Sequence, residues 1–221
     1  MKLLPDSKAS LLRASVIFLI LVAACFYRNL FSLFQLAAYQ PAEGDILFQS
    51  LPHGELVDAI EGVTLSPWSH CGVVMQVDGR WQVAEAIGYV RHTPLALWIL
   101  RGRSGHFEAY RPVSSVTLPA QKQLHDSLTT ALASRMGRYY DFRYAPDDSE
   151  IYCSELVFKA YRDAFGLELG KWEELGQLNW KPFEAFIRTL ENGPVPLQRP
   201  IITPVGITRS PLLQRIYPKR T

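Results

Sequence analysis

The sequence predicts an α+β domain, with an antiparallel sheet formed by its first half and helices packed on that sheet from its second. Three observations carry the expectation. Short β-rich runs crowd residues 45–113, and two of them are separated only by Asp78-Gly79, a strong two-residue hairpin signal. Beyond Pro119 the apolar residues recur at helical spacing instead. The composition is that of a folded protein: 221 residues, 48% hydrophobic, 20% charged and 12% aromatic. It excludes a disordered tail, a collagen-like repeat and a polytopic membrane protein.

The chain opens on a basic start followed by an apolar run over residues 14–27. That run is short for a spanning helix, which needs about 20 apolar residues, and suits the core of a signal peptide. It contains Val22-Ala23-Ala24-Cys25, small residues directly before a cysteine, which resembles the lipobox of bacterial lipoproteins. Residues 1–25 are therefore expected to be a signal peptide or membrane anchor. Cys25 is the lipidated residue in the first case and a small apolar residue in the second. Because the positive charges precede the apolar run, both put the body of the protein outside the cytoplasm, attached to the membrane (the periplasmic side in a Gram-negative cell).

Residues 26–40 read as a linker or amphipathic segment, 41–205 as the main domain and 206–221 as an extended tail. In the domain, residues 45–49 form a short strand and 52–67 a loop or short helix. The runs 71–77 and 80–87 form the hairpin, and 106–113 another strand. Pro119 opens a helix that Gly137 stops, a second runs from about 149 to 165 before Gly166, and a third starts at Pro182. Six prolines after residue 193 predict an extended surface course for the last segment.

Charge excludes a nucleic-acid partner. Lys+Arg is 23 against Asp+Glu 21, and the excess sits in the first 25 residues, leaving a neutral domain. The three cysteines (Cys25, Cys71, Cys153) include no CxxC pair, and the five histidines make no zinc spacing with them. Neither a disulfide scaffold nor a metal or other cofactor is expected.

Three positions combine reactive side chains with unusual settings: His70, Glu85 within an apolar strand, and Cys153. With Asp78-Gly79 as a two-residue turn, paired positions place Gly72 opposite Glu85 and make His70 and Glu85 diagonal neighbours on one face. Gly72 leaves the carboxylate room to lean toward the imidazole. Cys71 then points to the other face and is expected to be a packing residue. A His with a carboxylate behind it is the base half of a nucleophilic triad. Cys153 lies in the first turn of its helix, with Asp147, Asp148 and Ser149 as candidate caps, where the helix dipole favours a thiolate. Taken singly, each residue has an ordinary reading: an inert buried thiol, a satisfied strand-end histidine, an edge charge.

Gly44-Asp45-Ile46-Leu47-Phe48, Ser69-His70-Cys71-Gly72-Val73-Val74 and Val83-Ala84-Glu85-Ala86 resemble the sheet segments of papain-like NlpC/P60 enzymes. In the usual members the cysteine helix precedes these strands. Here Tyr152-Cys153-Ser154-Glu155-Leu156-Val157 follows them, which resembles the circularly permuted YiiX/YebB-like branch, with lecithin:retinol acyltransferase as a more distant relative. The resemblance implies a permuted papain-like fold, Cys153 as nucleophile, His70 as base, Glu85 as third member and Tyr152 as an aid to the oxyanion. It implies a thiol hydrolase or acyltransferase acting on an amide or ester of a cell-wall peptide or a lipid. A non-catalytic lipid- or peptide-binding module with the same groove is the rival. A second rival makes Cys71 the nucleophile, which the face argument disfavours.

Overall fold

The computed structural model describes residues 7–113, 116, 118–145, 147 and 149–218, except for the side chains of residues 7–12 and 20–29. Its centre is a six-stranded antiparallel sheet in the order β4-β3-β2-β1-β5-β8. The strands are β1 (Ile46–Gln49), β2 (His70–Val77), β3 (Arg80–Ile87), β4 (Tyr89–Pro94), β5 (Phe107–Pro112) and β8 (Leu213–Tyr217). The turn between β2 and β3 is the two-residue type: Asp78 and Gly79 both have positive φ, 50° and 71°, as such a tight hairpin requires. The resulting register pairs Val77 with Arg80 and Val73 with Ala84, so Gly72 and Glu85 come next along the two strands.

Alternation along the strands gives the sheet two apolar faces. One face carries Ile46, Phe48, Cys71, Val73, Met75, Ala84 and Ala86. It is covered by α4 (Gln121–Ala133) and α5 (Cys153–Phe165), through Leu124, Leu128, Leu156, Val157, Ala160 and Tyr161. The other face carries Leu47, Val74, Val83 and Ala109 and packs on Leu95, Trp98 and Ile99 of α3 (Leu95–Arg101). The remaining elements are α2 (Glu55–Thr64), the short pair β6 (Glu173–Glu174) and β7 (Pro200–Ile201), α6 (Glu184–Glu191) and α7 (Pro204–Thr208).

Helix α1 (Ser7–Ala38) runs through residue 25. Its last turns dock on α3 and on the turn at 103–105: Phe31 meets His106 edge-on at 4.9 Å between ring centroids, and Ser32 is buried against Gly105. The end of the chain is not a surface tail. Residues Pro204–Thr208 form α7, and Leu213–Tyr217 become an edge strand against β5, burying Leu213 and Tyr217. Helix α5 begins at Cys153, not near 149, with Tyr152 as its N-cap and no side-chain cap bond. Asp147 instead bonds Ser149, at 2.9 Å to its N–H and 2.5 Å to its hydroxyl. The loop before α5 is held by backbone bonds, Tyr140 N–H to Gly88 O and Ile151 N–H to Tyr139 O. Among the described residues, no helix is long and apolar enough to cross a membrane. The side chain of Cys25 lies outside the described residues.

Candidate active site

His70 and Glu85 meet on the α3 face of the sheet. His70 Nε2 lies 2.6 Å from Glu85 Oε2, and both side chains are buried. Gly72 makes that contact possible. A Cβ there would lie 2.5 Å from Val83 Cγ1 and 2.8 Å from the Ala84 carbonyl oxygen, both closer than packing allows. A fully buried carboxylate needs partners, and Glu85 has several. Thr93 donates its hydroxyl to Oε1 at 2.6 Å, the Arg101 guanidinium bonds Oε2, and Arg91 Nε stands 3.9 Å from Oε1. Sequence reasoning missed all three, because β4 and α3 were not recognised as elements. Trp98 backs the imidazole, its ring centroid 6.0 Å away.

Cys153 approaches from the other side. As the first residue of α5, buried with Leu156, Val157 and Ala160 on the face toward the sheet, its backbone N–H has no intrahelical acceptor and points out of the helix start. His70 is the first residue of β2. At that strand end its ring bonds Glu85 on one face, and Cys153 acts on its charge from the edge of the other. With Nε2 on Glu85, the remaining ring nitrogen, Nδ1, is the one for the sulfur. The three side chains picked out in the sequence are thus brought together in the order cysteine, histidine, glutamate.

The electrostatics follow from this enclosure. Burial alone would lower the His70 imidazole, but Cys153 and Glu85 outweigh it and raise it to about 9. Burial alone would raise Glu85, but His70 and Arg101 hold it down at about 2. The Cys153 thiol is lowered well below its usual range by the Cys71 thiol, then against burial by His70 and the Cys71 backbone N–H. The arrangement favours a thiolate beside an imidazolium at neutral pH.

Cys71 packs in the core, as alternation predicts. It does point away from the His70–Glu85 face, as alternation requires, and it is fully buried. Helix α5 packs on the face it points to, so Cys71 shares its core cluster with Cys153. Burial pushes its own thiol well up.

Tyr152 is tied to residue 202. Its hydroxyl accepts the Ile202 N–H at 3.1 Å, while Ser154 Oγ donates to the Ile202 carbonyl at 2.8 Å. The start of α5 is thereby stitched to residue 202 from both sides. Tyr144 packs on Tyr152 at 4.5 Å between ring centroids. Tyr140 is buried with its hydroxyl 3.3 Å from that of Tyr144.

A groove of about 700 Å³, counting its open mouth, leads to Cys153. One wall is α2 with Leu56, Ala59, Ile60 and Val63; the other is α6 with Phe186, Ile187 and Leu190; Ile201 and Ile202 line it as well. Arg199 at the rim is spent on Glu191, at 2.5 and 3.0 Å, and on the Arg143 carbonyl. No sequence signal gave this groove, since α2 and α6 are far apart in the chain. Among the described residues, no group of three or more His, Cys, Asp or Glu is placed to hold a metal ion.

Comparison with known proteins agrees with this geometry. The chain is 29% identical over 181 residues to the uncharacterized protein YiiX of Escherichia coli (strain K12), covering 81% of this chain and 87% of that one. It is also similar to the crystal structure of the metalloprotein YiiX from Escherichia coli O157:H7, with a TM-score of 0.75 and 29% identity over 83% of this chain and all of the other. The model of a family described as permuted papain-like amidase enzymes, YaeF/YiiX, C92 family, matches residues 40–217. A cysteine leading a helix that follows its sheet, the permuted order, thus has its place: the chain belongs to the permuted papain-like amidase family and is an enzyme of the cysteine hydrolase type.

Proposed function

We propose that the protein is a membrane-attached, extracytoplasmic thiol hydrolase or acyltransferase that cleaves an amide or ester of a lipid-like acyl group, through Cys153, His70 and Glu85. The Cys153 thiolate attacks the carbonyl carbon, and the oxyanion that forms is met by the backbone N–H of Cys153 at the helix start. The His70 imidazolium gives its proton to the leaving nitrogen or oxygen as the carbon–heteroatom bond breaks, leaving an acyl-enzyme. His70 then takes a proton from water, or from another acceptor, which attacks the thioester and frees the cysteine. Glu85 holds the imidazole in orientation and stabilises its charged form. Tyr152, whose hydroxyl accepts the Ile202 N–H and keeps its own proton to donate, is read as a brace for the groove wall and an aid to the oxyanion.

The observation that carries the substrate reading is the groove. Apolar side chains of α2 and α6 line its length, and at its rim Arg199 pairs with Glu191 beside the exposed Arg143. An acyl chain gains from such a surface by leaving water. A cell-wall peptide would leave its amides there without partners. Attachment and location are supported by the basic start, the apolar run of residues 14–27 and the exposed Ile17, Phe18, Leu19, Leu33 and Phe34 of α1.

The test is a substrate panel on the purified protein: long-chain acyl amides and esters against cell-wall peptides, with Cys153→Ser as control. Turnover of the long acyl substrates that Cys153→Ser abolishes is the expected result. Turnover of peptides alone contradicts the lipid reading, and saturable acyl binding with no turnover favours the non-catalytic module.

A further inference from the structure

We propose that Ser69 is a further catalytic residue, whose hydroxyl donates to the substrate's carbonyl oxygen as that oxygen becomes an oxyanion, from the opposite side to the Cys153 N–H. The inference rests on the reading of Cys153 as nucleophile and gives a role to a residue outside the Cys-His-Glu arrangement.

Ser69 directly precedes His70, the first residue of β2. Side chains alternate along extended chain, so Ser69 turns to the face that Cys71 takes, the face on which α5 packs. Ser69 and Cys153 line the same groove, and at 2% exposure each they lie at its closed end and not at its mouth. Two backbone bonds fix Ser69 there. Its N–H donates to the Gln49 carbonyl at 3.2 Å, and its Oγ accepts the Leu51 N–H at 2.9 Å. A serine hydroxyl has one proton to donate and two lone pairs. Leu51 uses a lone pair, and among the described residues no acceptor takes the proton. That proton is left for what the groove holds.

The other hydroxyls of the groove wall are disposed differently. Ser154 donates to the Ile202 carbonyl at 2.8 Å and Thr64 to the Ile60 carbonyl at 2.7 Å. Thr203 keeps its proton at the cap of α7, where its Oγ1 accepts the Gly206 N–H at 3.0 Å. Of the two wall hydroxyls with a free proton, Ser69 is the one joined to the base, through a single peptide bond to His70. The chemistry needs such a donor. Attack by the Cys153 sulfur forms the S–C bond and moves the C=O π pair onto oxygen. In an apolar groove that charge has little water to meet it, and fixed donors take the place of water. Ser69 keeps its proton throughout. The pair returns to re-form the C=O when the carbon–heteroatom bond breaks, and His70 protonates the leaving group.

The experiment compares the wild type and Ser69→Ala as full chains. Iodoacetamide alkylation, with the labelled residue identified by mass spectrometry, reports the thiolate, since that displacement builds no oxyanion. Protection of Cys153 from the label by palmityl trifluoromethyl ketone reports the hole, because the adduct carries a tetrahedral oxyanion. Palmityl methyl ketone reports binding of the chain alone. Ser69→Ala should weaken the trifluoromethyl ketone about 10²- to 10³-fold, and lower kcat on p-nitrophenyl palmitate by a similar factor with KM little changed. Alkylation and methyl ketone affinity should stay at their wild-type values. The proposal is overturned if Ser69→Ala binds the trifluoromethyl ketone as tightly as the wild type, or if the ketone fails to protect the wild type. It is overturned as well if alkylation or methyl ketone binding falls as far, which marks a structural role. Ser69→Cys, close to serine in size and a weak donor, carries the same comparison should the alanine variant fail to fold. A wild-type label that never reaches Cys153 overturns the nucleophile assignment itself, a different result from a labelled Cys153 whose ketone adduct ignores Ser69.

Discussion

Glu85 is the residue whose environment asks most of the fold. A carboxylate with no exposed surface is tolerable only while its partners stay charged and in place, and His70, Arg101 and Thr93 supply that. Two outcomes are expected. Glu85→Gln keeps the shape and removes the charge, so the alkaline limb of activity, set by His70 near 9, should fall toward neutrality. The maximal rate should drop on the order of 10²- to 10⁴-fold; an unchanged alkaline limb in a pH–rate profile would contradict this. The second outcome concerns stability. Glu85 is held at about 2 when folded against about 4.5 when unfolded, so its contribution is complete above 4.5 and is lost as the pH falls toward 2. Thermal melts of the wild type should therefore decline more steeply than those of Glu85→Gln over that interval. Between neutrality and pH 9 the His70–Cys153 pair adds little slope. A folded thiolate–imidazolium holds one proton, the same as an unfolded thiol with a neutral imidazole.

The hairpin β2–β3 is the element on which the site depends, through Gly72. Gly72→Val should destabilise the protein by about 1–3 kcal/mol and reduce activity more than stability predicts, because the new methyls press on Val83, the Ala84 carbonyl and Glu85. Denaturant unfolding and kcat measured on the same preparation check both effects. In the groove, Ala59→Phe on α2 should shorten the longest acyl chain accepted while leaving short-chain turnover nearly unchanged, read from kcat/KM across a chain-length series. This hairpin was also the most legible part of the sequence: Asp78-Gly79 admits one turn, the turn fixes the register, and the register brings His70 to Glu85. The rest was hidden for identifiable reasons. The β4 segment, Tyr89 to Pro94, interleaves Arg91 and His92 and ends on proline, so it lacks a strand's usual pattern. The seven residues of α3 are too few to show a helical period. Alternation put Cys71 on the correct face, but nothing in the sequence says that α5 covers that face. The expected caps at Asp147 and Ser149 failed because backbone pairing of the 139–151 loop sets the start of α5. The edge strand β8 is made by contacts with β5, more than a hundred residues away in the chain, which override its proline-rich setting.

For the molecule as a whole, the apolar helix and the catalytic domain are joined through α1, whose end packs on α3, and α3 in turn backs His70 with Trp98 and Glu85 with Arg101. Replacing Leu33 and Phe34, both exposed on α1, by serine should weaken binding to phospholipid vesicles in a flotation assay without lowering the melting temperature of the domain. Retained binding, or no binding by the wild type, would contradict attachment through α1. The proposed chemistry depends on one residue, Cys153, being a nucleophile activated by His70. The most direct measurement is limited alkylation with iodoacetamide at pH 6, followed by peptide mapping, on the wild type and on His70→Ala. The expected label is concentrated on Cys153 in the wild type and largely lost in His70→Ala. A label on Cys71 instead, or a Cys153 that reacts only with an ordinary thiol pKa near 8.5 and is indifferent to His70, would contradict it.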